Sequence, residues 1–237
     1  MTSYGAKVIR GGDQEALLRQ LLERSNHYPC TIFCPRAGYS NPFGVEGFKT
    51  IAFKIYEQLG RSAPDRVFVP TGSGDGIYGV WKPLRELRDL GWIAKAPKMI
   101  ACQASGADSA FRAFQRKVRR AEMFPSTSTV ASPVAERITG DHALRAVYES
   151  GGSVVPCTDD ETIRAQQFLM RNGLALEPAS AAGFACSQQA VHEANAGETW
   201  VVIGSGAAVK WGTVIRDFEA PRAFEPAFAN IHELSLP

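Results

Sequence analysis

Between Arg66 and Leu90 the chain passes from an apolar stretch, RVFVPT, through the glycine-rich GSGDG, into the helical pattern IYGVWKPLRELRDL. No other feature restricts the fold as much. A short apolar run bounded by glycine reads as a buried strand, and Ile77, Trp81, Leu84 and Leu87 recur at the spacing of one helix face. Strand, glycine turn and helix in that order make the first half of a parallel β-α-β unit. The same order makes a phosphate cradle. Gly72, Gly74 and Gly76 let backbone approach an anion without an intervening Cβ, and the helix after them presents unpaired N–H groups at its positive end. Glycines that merely turn a strand into a helix are the plain alternative.

The alternation continues along the chain. Strands are read at 6–10 (AKVIR), 31–35 (TIFCP), 66–71 (RVFVPT), 98–104 (KMIACQA), 153–158 (SVVPCT), 174–178 (LALEP) and 199–205 (TWVVIGS), with helical segments between them. This predicts an α/β fold: a mainly parallel twisted sheet with helices on both faces. Ile51, Ile55 and Leu59 form a second helical stripe, read as core. Thr158 and Glu161 form a capping box that opens a helix over DDETIRAQQFLM, and Asn172-Gly173 closes it. With 237 residues, 45% of them hydrophobic, the chain is long enough to bury the core of one large domain.

Charge excludes little. The balance of 26 basic against 24 acidic residues leaves a net charge of +2, which implies no nucleic-acid surface and no acidic tail. The basic run FRAFQRKVRR and the polar run PSTSTVAS read as a solvated helix and a surface loop. The five cysteines are an odd number scattered through apolar runs, which reads as reduced thiols of a cytoplasmic protein. Cys30 and Cys34 are spaced like metal ligands, but no second pair or nearby histidine completes a site, so no metal is expected. No apolar signal core opens the sequence, and no stretch approaches the roughly 18 apolar residues of a membrane span. The stretch after Phe218, rich in proline and aromatics, reads as an ordered extension over the body.

Gly74, Gly76 and Gly79 also satisfy the G-x-G-x-x-G pattern of dinucleotide sites. That pattern wants an acidic residue at the end of the next strand for the ribose hydroxyls. Here the strand ends in Gln103 and Ala104, and the nearest acid, Asp108, lies beyond a turn. The dinucleotide reading is weakened, and an NAD-dependent oxidoreductase stays as an alternative.

Four motifs then occur in one order: NPFGVEGFKTIAFKIYEQLG, VFVPTGSGDGIYGVWKPLRELRDLG, LALEPASAAG and VVIGSGAAVK. Together, over about residues 4–210, they resemble the threonine synthase-like branch of the tryptophan synthase β-like, fold type II family that depends on pyridoxal 5′-phosphate. The resemblance implies that Gly72, Ser73, Gly74, Asp75 and Gly76 hold the cofactor phosphate through backbone N–H groups. It implies that Ser205 faces the pyridine nitrogen, where a hydroxyl favours β/γ elimination or replacement chemistry. It puts Glu177 near the cofactor, with a helix-capping carboxylate as the plain alternative. Asn41, Glu46 and Lys49 fall on the active-site side, with solvated loop charges as the alternative for the last two. It also implies two domains: 1–40 as a remnant of a smaller one and 41–237 as the large cofactor-binding one.

The family's Schiff-base lysine precedes Asp-Arg, and no Lys-Asp-Arg occurs here. Nor does the Ser-Gly-Asn substrate loop, since the Ser-Gly pairs at 73, 105, 150 and 205 are followed by Asp, Ala, Gly and Ala. No catalytic residue is therefore assigned. The expectation is a lyase acting on an amino acid such as O-phosphohomoserine, present as an incomplete chain that is inactive alone, its lysine-bearing N-terminal half either supplied in trans by a separate chain or lost from the gene model. A pseudoenzyme that binds a phosphorylated metabolite or a partner is the alternative from a different class. Small amino-acid substrates are the expected partners, with no nucleic acid and no membrane, and a homodimer is left open.

Overall fold

The computed structural model describes residues 41–210 without a break, together with 4–8, 17, 20, 21, 23, 28 and 30. Its centre is a sheet of four strands: β1 (Arg66–Pro70), β2 (Lys98–Ala104), β3 (Ser153–Cys157) and β4 (Trp200–Val202). The spatial order is β3-β2-β1-β4, and every pairing is parallel, with Arg66 opposite both Lys98 and Trp200 and Ile100 opposite Ser153. Within residues 41–210 the α-helices are α1 (Pro42–Gly47), α2 (Lys49–Gln58), α3 (Asp75–Asp89), α4 (Ser109–Gln115), α5 (Asp141–Glu149), α6 (Asp159–Arg171) and α7 (Pro178–Gln189).

Side chains alternate across a strand, so the sheet builds two cores. Val67, Val69, Met99, Ala101 and Val154 point to one face, where they meet Ala52 of α2, Ile77, Trp81 and Leu84 of α3, and Leu144 and Val147 of α5. Phe68, Ile100, Cys102 and Cys157 point to the other, against Ala165 and Leu169 of α6 and Ala181, Ala182 and Cys186 of α7. Burying one side chain such as Phe68, Ile77 or Leu84 contributes about 1.5–3 kcal/mol, which is why continuous apolar strands specify this two-faced layer. Helix α7 is made of small residues, PASAAGFACSQQ, and is buried along most of its length, so it lies close against the sheet.

Helix α6 carries the expected ends. Thr158 caps it reciprocally with Glu161, Asn172 is its C-cap, and Gly173 follows at φ +82°. The stripe Ile77, Trp81, Leu84 and Leu87 is buried, while Ile51 and Leu59 pack against the core only in part.

Three expected strands differ. Over 174–178 there is only an isolated antiparallel bridge between Leu176 and Ala207. The stretch is pinched between the Gly173 turn and Pro178, which opens α7, and too few residues remain for a ladder. The 199–205 run shortens to Trp200–Val202, although Ile203 still donates its N–H to Phe68 at 2.9 Å before the chain leaves the sheet. Residues 6–8 are not in a strand, and 9–10, the 31–35 run, Cys34 and the region after 210 lie outside the described residues.

Cys102, Cys157 and Cys186 are free and buried, and Cys30 is free and exposed. Hydrogen bonding with Cys186, and then burial, push the Cys157 thiol far above the ordinary range, so it is inert as a nucleophile. The run read as a solvated basic helix is locally neutralised: Arg112 pairs with Asp108 (3.0 Å), Arg116 with Glu122 (3.0 Å) and Arg120 with Asp141 (3.5 Å). Among the described residues no helix is long and apolar enough to cross a membrane.

Gly79, the last glycine of G-x-G-x-x-G, serves packing. A Cβ there would stand 2.5 Å from Phe48 Cβ and 2.7 Å from the Val45 carbonyl, at the corner between α1 and α2. Gly79→Ala gains about 1 kcal/mol of helix propensity, but forcing backbone apart costs about 1–3 kcal/mol. A net loss is expected, read as a lower urea midpoint. An unchanged or higher midpoint would mean that the α1–α2 corner yields freely.

Candidate functional site

The strand order sets the site. From β1 the chain builds outward through β2 to β3, then returns to lay β4 on the opposite side of β1. The loops leaving the C-terminal ends of β1 and β4 therefore diverge, and a crevice opens between them. A cavity of about 270 Å³ fills it, bordered by Gly72 to Gly76 after β1, Ser205 after β4, Glu136, and an apolar wall that includes Phe48, Ile51 and Val134.

The glycine loop is held by its carbonyls. Thr139 Oγ1 donates to the Gly72 carbonyl (2.8 Å), Gly140 N–H to the Ser73 carbonyl (2.8 Å) and Tyr78 N–H to the Gly74 carbonyl (3.2 Å). In a planar trans peptide the N–H points opposite to the C=O, so the N–H groups of Ser73 and Gly74 are turned the other way. The first-turn N–H groups of α3 have no intrahelical partner by position. Gly74 sits at φ +104°, and a Cβ on it would fall 2.5 Å from Ala143 Cβ, so only glycine closes this turn. A loop with its N–H groups turned this way at a helix start has the geometry that suits an anion.

Thr139 was not legible as a site residue. It is buried, accepts from Gln103 Nε2 (2.9 Å) and Ser109 Oγ (3.1 Å), and its N–H donates to Ser109 Oγ (2.9 Å). Gln103 in turn accepts from Phe111 N–H (2.9 Å). The residue standing where a dinucleotide site wants an acid is therefore an internal bracket for the loop, and Asp108 pairs with Arg112.

On the opposite wall Ser205 lies with its hydroxyl 3.3 Å from that of Ser180, a fully buried residue of α7. Ser180 Oγ also accepts the Gly206 N–H (2.8 Å), which fixes the turn that carries Ser205. Glu177 is buried behind that turn. Its N–H donates to the Gly206 carbonyl (3.0 Å), and a Cβ on Gly206 would lie 2.0 Å from its Oε1. It makes no side-chain cap to α7 and does not line the cavity.

The motif at 41–60 contributes differently from expectation. Phe48 and Ile51 line the cavity. Asn41 caps α1 by accepting from Phe43 and Gly44 N–H, and its amide donates to the Cys30 carbonyl (3.1 Å). Glu46 bonds Lys49 (2.8 Å) and Lys82, and Lys49 also bonds Glu86 (3.1 Å), so these charges tie the α1–α2 corner to α3 away from the cavity. Lys49, then Lys82, hold the Glu46 carboxyl below its usual range.

The cavity also carries two carboxylates. Asp75, the first residue of α3, lies 3.0 Å from His142 Nε2 of α5. The side chain of Glu136 lies over Gly72, its Cγ 3.0 Å from where a Cβ there would be. Glu136 is exposed, yet partial desolvation by its neighbours, and then the charge of Asp75, raise its carboxyl above the usual range.

The site thus joins a glycine loop at the switch point of a parallel α/β sheet to a serine-bearing turn across a partly apolar cavity. This chain belongs to the family of pyridoxal-phosphate dependent enzymes, whose model matches residues 1–206. It is similar to threonine synthase of Methanocaldococcus jannaschii, 36% identical over 197 residues that cover 80% of this chain and 47% of that protein. For threonine synthase of Methanosarcina acetivorans the identity is 35% over 240 residues, 97% of this chain and 58% of that protein. The chain thus spans about half the length of the curated relatives it matches. Among solved structures, maize serine racemase superposes with a TM-score of 0.61 at 21% identity over 73% of this chain and 51% of that one. An L-serine ammonia-lyase from Rhizomucor miehei gives 0.65 at 16% identity over 86% and 63%. These last two show the fold.

A raised carboxyl makes stability fall with pH. Glu136 contributes fully below the ordinary glutamate range, and that contribution is lost as pH rises through its elevated folded value. Glu136→Gln removes the penalty, so its urea midpoint is expected to exceed that of the wild type at pH 8 and to match it near pH 4. Equal midpoints at both pH values would show that the carboxyl ionises without cost.

Proposed function

We propose that this chain is the cofactor-phosphate-holding part of a threonine synthase-like lyase. The observation that carries the reading is the capture of the Gly72 and Ser73 carbonyls by Thr139 and Gly140, which turns the loop's N–H groups outward opposite Ser205. The residues fit pyridoxal phosphate. The nest and the first turn of α3 would take the phosphate, Ser205 would meet the pyridine nitrogen, and the apolar wall would exclude water from the ring. When bound, the cofactor supplies an electron sink for elimination or replacement at the β and γ carbons of an amino acid. Ser205, whose hydroxyl donates or accepts, would hold the ring nitrogen without fixing a full proton on it, which would suit that chemistry.

In this reading residues 41–237 are the large domain and 1–40 belong to the smaller one. The substrate is an amino acid with a leaving group on its side chain, O-phosphohomoserine above all, as the names of the similar enzymes suggest. The reactive amine and the grip on the substrate carboxylate are supplied by polypeptide other than these 237 residues, because Lys-Asp-Arg and Ser-Gly-Asn do not occur in them. The pairing half, the cytoplasmic location and any self-association belong to the same proposal.

Two measurements test it. Pyridoxine 5′-phosphate, which lacks the aldehyde and cannot react with surface amines, is expected to bind. Thr139→Val, which strands the Gly72 carbonyl at a cost of about 1–3 kcal/mol and leaves the Gln103 amide only the Thr71 carbonyl at 3.4 Å, is expected to weaken binding at least tenfold. Equal affinity in wild type and variant would remove the loop from the site. With pyridoxal phosphate and O-phosphohomoserine, the chain alone is expected to form no threonine, and threonine formation without a partner would refute the division of labour.

A further inference from the structure

An anion site lined by acids is an electrostatic contradiction. Among the described residues that border the cavity there is no lysine or arginine, yet Asp75 and Glu136 both do. The compensating positive charge is small. The helix start supplies about half an elementary charge, and His142 supplies one when protonated against Asp75 at 3.0 Å. The remaining neighbours do not add to it. Tyr78 of α3 sets its ring against His142 with centroids 5.6 Å apart, and Arg145 of α5 is engaged by Glu149 at 2.8 Å.

Glu136 is the group whose ionisation the ligand would most resist. Its Cγ lies over Gly72, and Glu136 borders the same cavity as the glycine loop, so an anion held by the loop shares that cavity with its carboxyl. Ionised, that carboxyl repels the phosphate; protonated, it is one more donor to it. We propose that the cradle takes up its phosphate ester together with one proton from solution, held between the Glu136 carboxyl and a phosphate oxygen, which makes Glu136 a binding residue for the anion. The proton adds to whichever oxygen carries the charge, Glu136 or phosphate, and no bond to carbon or phosphorus changes. Partial desolvation and the Asp75 charge already bias the exposed Glu136 toward its neutral form before any ligand arrives. Asp75 has a side-chain partner in His142 at 3.0 Å, whereas Glu136 is the acid to which the proton is assigned.

The inference rests on the reading of the cavity as a phosphate site, and the test separates the two. Pyridoxine 5′-phosphate is titrated calorimetrically into wild type, Glu136→Gln and Asp75→Asn, in buffers of different ionisation enthalpy between pH 6.5 and 8.5. For the wild type a net uptake approaching one proton is expected, with affinity falling toward tenfold per pH unit. Glu136→Gln, whose amide donates at every pH, is expected to show no uptake and to bind more tightly than wild type at pH 8.5. Asp75→Asn is expected to keep most of the uptake. Wild-type binding without proton uptake, or uptake that survives in Glu136→Gln and vanishes in Asp75→Asn, would overturn the inference alone. No binding by any of the three proteins at any pH would overturn the phosphate-site reading with it.

Discussion

The orientation of two peptide groups governs the site. A glycine-rich loop can present either carbonyls or N–H groups to a crevice, and only the second arrangement attracts an anion. Here the choice is made on the protein side of the loop, where Thr139 and Gly140 engage the carbonyls of Gly72 and Ser73. Thr139 can do this because its hydroxyl is held by Gln103 from the end of β2 and by Ser109 from the start of α4. The bracket is buried, so each of its bonds is stronger than it would be in water and each missing partner would be expensive. The loop is thus ordered by the sheet and two helices before any ligand binds.

The opposite wall follows the same principle with different chemistry. Ser205 stands on a turn fixed by Ser180 of the buried helix α7, and Glu177 lies behind that turn. The small residues of α7 allow this closeness: Gly183 lies against Pro70 such that a Cβ would be 3.1 Å from its Cγ. By contrast the Glu46, Lys49, Lys82 and Glu86 cluster is partly exposed, and pairs of that kind contribute about 0–1 kcal/mol each. Its effect is to hold α1 and α2 in register on α3, which leaves Phe48 and Ile51 facing the cavity. Charges in that motif serve placement, and the apolar residues between them serve the site.

Much of this was readable from residue order. The apolar runs at 66–71, 98–104 and 153–158 became strands because parallel strands covered on both faces need apolar side chains at consecutive positions. The ends of α6 were readable because a capping box and an Asn-Gly stop are local devices. The run at 174–178 misled because its composition suits a strand while its neighbours, Gly173 and Pro178, leave no room for one. Gly72 to Gly76 and Ser205 were found through motif and resemblance, and the structure brings them to one cavity. Glu177, expected near the cofactor, lies behind the turn that carries Ser205 and does not line the cavity, a distinction that sequence spacing does not encode.

What the chain's order determined is the alternation of strand and helix, the glycine turn at 72–76 and the membership of a cofactor family, since each depends on residues adjacent in sequence or on motifs with fixed spacing. Tertiary structure alone decided which residues complete the site. Thr139 lies 67 positions from the carbonyl it holds, His142 lies 67 from Asp75, and Ser180 lies 25 from Ser205. Those meetings occur because β4 returns beside β1 and because the segment after α4 folds back beneath the glycine loop. Hydrogen bonds and charge act over a few ångströms, so they report the contacts that the folded chain makes, at whatever distance along it.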